Sequence, residues 1–456
     1  MKPVLLWSDL LVFLLVLSLC LFFWRLRRDP NSRLRWRQVF SSRLGMTAFT
    51  VIIAYVGVAL LDSMHFRRAL APADGSDYSE SYYDNTVTSV FDVLTVGMGE
   101  RFERTYSAPF ALRSFEKQNM RDADGNDIRA YPPLEHAGQH LASPDDRAAD
   151  ILSRSLRAIG WGLLLSVLLI TPQWLLLRDS TLAWRASWAT QAVLVCAGVW
   201  MVSLSRYYHV LGTDLGGTDV LYQSLKGIRT GVLLGTLATL VMLPIAVTLG
   251  VMAGYFKGWV DDVVQYLYTT LSSIPGILLI AASVLLFQVY IDLNPDAFEV
   301  GLEKADARFV ALCFILGVTS WSTLCRLIRA ETLKISQLDY VQAAHAFGVS
   351  HTRIVTRHIL PNMVHIILIT FVLDFSALVL AEAVLSYIGV GIDPSMGSWG
   401  NMINSARAEL SREPAIWWNL TGAFIFMFTL VLAANLFSDL VRDAFDPRTR
   451  LEAAQA

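Results

Sequence analysis

Charge is scarce in this chain. Of 456 residues only 17% are Asp, Glu, Lys or Arg, while 54% are hydrophobic. Soluble domains carry about a quarter charged residues, so the composition excludes an ordinary soluble protein and points to a membrane one. The net charge is −2, which leaves no basic excess for a nucleic-acid partner. Cysteine is also scarce. Cys20, Cys196, Cys313 and Cys325 all fall in or at the ends of apolar segments. Their spacing supports neither a disulfide framework nor a metal site, so they read as small apolar residues. Catalytic signatures are missing too. No Gly-x-x-x-x-Gly-Lys-Ser/Thr cradle for nucleotide phosphates occurs, and no Gly-x-Ser-x-Gly or His-Glu-x-x-His. The chain is expected not to be an enzyme and to hold no metal or cofactor of its own.

What is abundant is long apolar runs. Windows of about 20 such residues mark membrane spans. Nine are expected, at roughly 4–24, 44–61, 158–177, 188–204, 230–253, 265–289, 307–328, 363–385 and 415–438. The first is long enough to span, and an Arg-rich segment follows it where a signal peptide would show a small-residue cleavage site. Orientation follows Lys and Arg in short loops. Arg25, Arg27, Arg28, Arg33, Arg35, Arg37 and Arg43 put the first loop in the cytoplasm. Arg178 and Arg185 do the same for a second loop, and Arg329, Lys334, Arg353 and Arg357 for the segment 329–362. The N-terminus then falls outside. Arg326 and Arg329 at the end of the seventh span read as snorkelling to the interface.

Residues 62–157 form one large external insert with mixed charge, several tyrosines and a Pro132-Pro133 turn signal. Thr86–Val96 is rich in Val and Thr and is expected to be a strand. Asp122-Ala-Asp124-Gly125-Asn126-Asp127 has the opening of a calcium loop, but Pro133 stands where the bidentate Glu is required, so a solvated turn is expected. His136 and His140 are spaced as in a zinc-protease helix, without the Glu that must follow the first. The insert reads as a folded cap against a binding protein or a partner subunit.

The stretch Tyr340–Asn362 is polar and basic between two apolar segments. It is expected to form two short helices around Gly348. Ala344 and Gly348 would share one face, where a partner backbone could approach. Ser350 would cap the second helix, Arg353 and Arg357 would stack on it, and Pro361 would end it. Gln342-Ala343-Ala344, Gly348 and Leu360-Pro361 resemble the EAA loop of ABC importer permeases, with Gln342 in place of the usual Glu. A second stretch is Gly212-Thr213-Asp214-Leu215-Gly216-Gly217-Thr218-Asp219-Val220, a glycine-rich turn whose Asp214 and Asp219 can cap backbone amides. It resembles the Gly-Thr-Asp, two residues, Gly-Arg-Asp-Val signature of the dipeptide/oligopeptide group, with Thr218 in place of Arg. The likeness continues through Ala253–Asp261, Leu373-Asp374, Ala381–Gly389, Ser398-Trp399-Gly400 and Arg442–Arg448.

That resemblance implies an all-α polytopic protein with the type I ABC importer permease fold, six core spans plus three extra ones and the external insert. The division would be 1–61, two spans with the Arg-rich loop; 62–157, the periplasmic insert; 158–204, two additional spans; 205–441, the permease core with coupling loop 340–361; and 442–456, a cytoplasmic tail. It implies a peptide importer in the bacterial inner membrane that works by alternating access. The partners would be a second homologous permease, two ATPase subunits that bind the ATP, and a periplasmic substrate-binding protein. Gln342, Ala343, Ala344, Gly348, Leu360 and Pro361 would couple to the ATPase, and Gly212, Thr213, Asp214, Gly217 and Asp219 would form the external motif. Asp374 and Glu382 are ionisable residues in a span, where such groups are costly and point to function. They would line the path or lock two helices. Other readings stay open: an ion-coupled secondary transporter using those two acids, a sensor whose business is the insert, or an importer of nickel or another small solute.

Overall fold

A computed structural model describes residues 2–26, 30–69, 83–95, 97–121, 127–141, 143–177, 180, 182–294 and 301–445. The chain opens with β1 (Lys2–Val4), α1 (Trp7–Leu26), α2 (Pro30–Ser41) and α3 (Arg43–Asp62). The insert follows with β2 (His65–Ala69), β3 (Tyr83–Ser89), α4 (Val90–Leu94), β4 (Gln118–Arg121) and β5 (Asp127–Ala130). Then come α5 (Arg147–Leu177), α6 (Trp184–Ser205), α7 (Val220–Phe256), α8 (Trp259–Ser273), α9 (Gly276–Leu293) and α10 (Leu302–Ile335). The rest is α11 (Asp339–Ala346), α12 (His351–Ile354), α13 (Leu360–Tyr387), α14 (Trp399–Glu409) and α15 (Trp418–Phe445).

Among the described residues, eight helices are long and apolar enough to cross a membrane. They contain seven of the nine expected spans, in whole or nearly so, and α1 carries the first. The expected span 265–289 is corrected: it is broken at Ile274-Pro275 into α8 and α9. Ile274 is extended, with φ −92° and ψ 131°. The proline ring excludes the helical region for the residue before it, and that outweighs the apolar run. The expected strand Thr86–Val96 also stops early, at Ser89. Ser89 Oγ accepts from Asp92 N at 3.1 Å, and the Asp92 carboxylate accepts from Ser89 N at 2.9 Å. This reciprocal capping box starts α4 where β-branched residues alone would continue the strand. Of the calcium-loop-like stretch, Asp122–Asn126 lies outside the described residues, and Asp127 opens β5.

The described chain forms two compact units. One comprises Met1–Cys20, Phe40–Val232 and Met396–Ala433. In it β1, β2 and β3 make an antiparallel sheet with Val4 opposite His65 and Phe66 opposite Thr88. The additional helices α5 and α6 form a hairpin. A Cβ placed on Gly162 would lie 2.8 Å from Cys196 Cα, so only a small residue permits that approach. Thr50 of α3 and Ser187 of α6 are hydrogen-bonded through their hydroxyls at 2.8 Å. The other unit comprises Leu21–Val39, Leu233–Ser395 and Ala434–Ala456. Within it Gly250 and Gly254 of α7 let α10 come close: a Cβ there would lie 2.8 Å from Cys325 O and 2.7 Å from Arg329 O. Its core gathers Val251, Val264, Leu324, Ile335, Val341, Ile354, Ile359 and Met363, all buried.

Candidate functional site

The segment 339–359 is built as a capped helix, a left-handed turn and an irregular re-entry into a span. Asp339 stands in the first turn of α11, where its charge suits the helix dipole. Gly348 has φ +73°, its N–H donates to His345 O at 3.0 Å, and Val349 N donates to Ala344 O at 3.1 Å. These two bonds are the Schellman arrangement, and Ala344 and Val349 supply its apolar contact against the core. Two expectations are thereby corrected. Ala344 and Gly348 do not share a helix face, because the helix stops at Ala346; Ala344 turns inward, half-buried. Nor does Pro361 end the second helix. The chain is helical from His351 to Tyr387, through a π-helical stretch at Val355–Ile359, and Pro361 stands in the first turn of α13. The wider π turn absorbs the missing proline donor and the ring's bulk.

What α11 presents to solvent is Gln342, Ala343 and, just past its end, Phe347, which is 87% exposed. Sequence reasoning passed over Phe347. An aromatic beside a helix-stopping glycine was the available signal. Gln342 Nε2 donates to the Gln337 carbonyl at 3.2 Å, a bond that a glutamate could not make. Ser350 occupies the N-cap position of α12, without a capping hydrogen bond from its side chain. Arg353 and Arg357 are both exposed, and Leu360 packs against the core. The last turn of α7 braces this segment. Tyr255 Oη and His351 Nδ1 are 2.8 Å apart, and Arg329 is paired with Asp261, its Nη2 2.7 Å from Oδ2. Arg329 is therefore an ion-pair partner of the first turn of α8, which corrects the snorkelling reading. Arg326 reaches Ser272 Oγ at 3.2 Å.

The external motif is a second constellation, in the other unit. Gly212 and Gly217 have φ of +72° and +74°, and both touch the insert. A Cβ on Gly217 would lie 1.8 Å from Glu103 O, and one on Gly212 would lie 2.3 Å from Ser107 O. Thr213 is fully buried; its Oγ1 donates to Thr105 O at 2.9 Å, and Trp418 Nε1 donates to its carbonyl at 2.9 Å. Asp214 accepts from Thr218 N at 2.8 Å, and Asp219 accepts from Tyr222 N at 3.1 Å. Behind them lies a buried charge cluster that the sequence did not disclose. His209 Nδ1 is 2.7 Å from Asp219 Oδ2, and Nε2 is 3.3 Å from Glu103 Oε1. Glu103 also accepts the backbone N–H of Glu135 and of His136, at 2.9 and 2.8 Å. Burial disfavours the charged imidazole, but hydrogen bonds and charges from Asp219 and Glu103 outweigh it and raise its pKa to about 9. The insert thus folds onto this chain's own motif loop. His140, the other half of the metal-like spacing, pairs with Asp150 at 2.8 Å.

The same unit explains the Ser398-Trp399-Gly400 motif. Ser398 Oγ caps α14 by accepting from Asn401 N at 3.2 Å. Trp399 is buried over Gly227 and Gly231 of α7 and donates to Ser224 O at 2.8 Å. Asp374 and Glu382 both stand on α13. Glu382 is buried and accepts from Ser386 Oγ at 2.7 Å, whereas Asp374 is half-buried.

These features define a multi-pass membrane permease with an exposed segment, 339–359, leading into α13. Residues 246–451 match the family described as binding-protein-dependent transport system inner membrane component. The chain is 33% identical over 244 residues to the glutathione transport system permease protein GsiD of Pectobacterium atrosepticum, covering 53% of this chain and 73% of that one. It is 33% identical over 242 residues to the oligopeptide transport system permease protein OppC of Mycobacterium tuberculosis, covering 53% and 77%. It is 29% identical over 240 residues to the dipeptide transport system permease protein DppC of Lactococcus lactis, covering 53% and 64%. The chain belongs to this family of bacterial inner-membrane transport permeases, whose members work with an ATPase and a substrate-binding protein. The family match begins inside α7 and leaves residues before 246 outside it.

Proposed function

We propose that this chain is the permease subunit of an ATP-driven peptide importer. It pairs with a second, homologous permease, two ATPase subunits and an external peptide-binding protein. The observation that carries the reading is the α11–α12 segment. It offers an exposed phenylalanine just past the end of a stoppered helix, in a segment anchored in the chain's core through Val341 of α11, Ile354 of α12 and Ile359 after it. A partner that grips Phe347 would move α13 directly, because α12 runs into it without a break. ATP closes the ATPase dimer, and the segment transmits that closure as a tilt of the spans. Such a cycle requires that ATP favour one conformation over the other by differential binding. The names of the relatives, together with the family-like motifs across 212–448, support peptides as the cargo.

The test is reconstitution of the full complex into proteoliposomes. Labelled peptide uptake is expected to need ATP on the ATPase side and binding protein on the other. Uptake that follows an imposed proton gradient without ATP would refute the proposal and favour a carrier using Asp374 and Glu382.

A further inference from the structure

Glu409 is the last residue of α14, and Asn419 stands in the first turn of α15. Both are buried, each only 1% exposed. Asn419 Nδ2 donates to Glu409 Oε1 at 3.2 Å. The other two oxygens of the pair, Glu409 Oε2 and Asn419 Oδ1, are buried as well. Among the described residues neither has a hydrogen-bond partner. Buried polar atoms are nearly always bonded, so two orphans on one pair require a reason. An ionised carboxylate supplies none, because it only accepts, and the amide donates from its nitrogen alone. A carboxylic acid does better. Its hydroxyl donates, so an acid and an amide exchange two hydrogen bonds, N–H to one oxygen and O–H back to the amide oxygen. The two orphaned oxygens are the two that such a proton joins.

The surrounding charges suit a neutral acid. The motif loop contributes Asp214, a second carboxylate, which accepts from Thr218 N at 2.8 Å. The insert contributes the buried Tyr106 and, further out, Glu116, which is paired with Arg412. Arg412 follows α14, and its guanidinium lies 4.9 Å from the centre of the Tyr106 ring. Burial pushes the Glu409 pKa above the ordinary 4.5. The Asn419 hydrogen bond opposes that rise, and the Asp214 charge adds to it. Tyr106 and Arg412 pull the other way without cancelling it.

We propose that Glu409 is a buried proton-binding site, whose Oε2 holds a proton at neutral pH and donates it in a hydrogen bond to Asn419 Oδ1. The result is a cyclic acid–amide pair. It fastens the end of α14 to the start of α15 across residues 410–417, beside the loop that carries Asp214. Removal of the proton breaks one of the two bonds and leaves a buried negative charge near Asp214. The joint is therefore made by the protonated form and loosened by alkali.

The experiment uses the full-length permease, purified without partners. Infrared difference spectra of wild type against E409Q at neutral pH should show the carbonyl stretch of one protonated carboxylic acid, absent from the variant. N419L should shift that band, because the acid loses its amide partner. Thermal unfolding is the second measurement. Glutamine keeps both hydrogen bonds, its own N–H donating to Asn419 Oδ1. E409Q should therefore melt at or above the wild-type temperature at neutral pH, and E409A below it. The folded pKa lies above the ordinary one. The wild type thus has this stability in full below pH 4.5 and loses it as pH rises through the folded value. E409Q should show no such loss. Absence of the acid band overturns the proposal, as do parallel stability curves for wild type and E409Q. So does an E409Q that fails to fold or melts as low as E409A, since the site would then need the charge, as a bound cation does. No arm needs ATP, peptide or a partner, so failure here leaves the transport reading standing, and failure of transport leaves this one standing.

Discussion

The His209 cluster yields the sharpest prediction. The imidazole lies between Asp219, which caps α7, and Glu103 of the insert, and only 3% of His209 is exposed. Replacing it with glutamine leaves two buried carboxylates without their shared cation. Removal of one partner from a buried pair costs about 3–5 kcal/mol. Linkage gives a similar figure. The pKa rises from 6.5 to about 9, which corresponds to about 3 kcal/mol of stabilisation of the charged form. The sign follows from the direction of the shift. The folded pKa lies above the ordinary value, so the stabilisation is complete below about pH 6.5 and is lost as pH rises through about 9. The assay is thermal unfolding of the full-length permease in detergent at several pH values, followed by tryptophan fluorescence, together with limited proteolysis of the insert. The wild type should lose stability, and its insert become cleavable, across that upper range. His209→Gln should be weaker already at neutral pH, with little further loss from this source. Parallel stability curves for the two proteins from about pH 7 to about pH 10 would refute the argument.

Three further substitutions separate conformation from contact. Gly217→Ala should unseat the motif loop. The left-handed backbone alone costs about 1–2 kcal/mol, and the new methyl would collide with the Glu103 backbone; a melting temperature equal to wild type would contradict this. At Gly348 the space is open, with nothing within 4 Å of an added Cβ, so the left-handed turn at φ +73° is what demands glycine. Gly348→Val should cost about 1–2 kcal/mol locally and sharply reduce co-purification of the ATPase, with near-normal membrane insertion; an unchanged ATPase yield would make the segment an ordinary loop. Phe347→Ala should leave stability within about 0.5 kcal/mol, because the ring is 87% exposed. It should nonetheless lower ATPase association and peptide uptake together, as read by pull-down and transport assay.

Much of this architecture was legible in the amino-acid order. A membrane helix must satisfy its backbone internally and cover itself with apolar side chains, so each span announces itself locally. Glycine at a left-handed turn is equally local, and Gly212, Gly217 and Gly348 could all be marked in advance. The motif spacing around Gly348 and Trp399 carried the family reading. What is local but finely balanced was misjudged: Pro275 split one span, the Ser89–Asp92 box ended a strand early, and a π stretch let the helix run through Pro361.

Only the tertiary structure decided which groups far apart in the chain would meet. Glu103 and His209 are separated by a whole helical hairpin, and Asp261 and Arg329 by two helices. No periodicity in the sequence records a bond of that kind, because it depends on how close two backbones come. That distance is set by small residues, such as Gly162 and Gly250, whose meaning appears once the partner helix is in place. The same holds for α2. Its arginines are plain in the sequence, but which face is packed was decided by Val39 and Trp36 finding the end of α15.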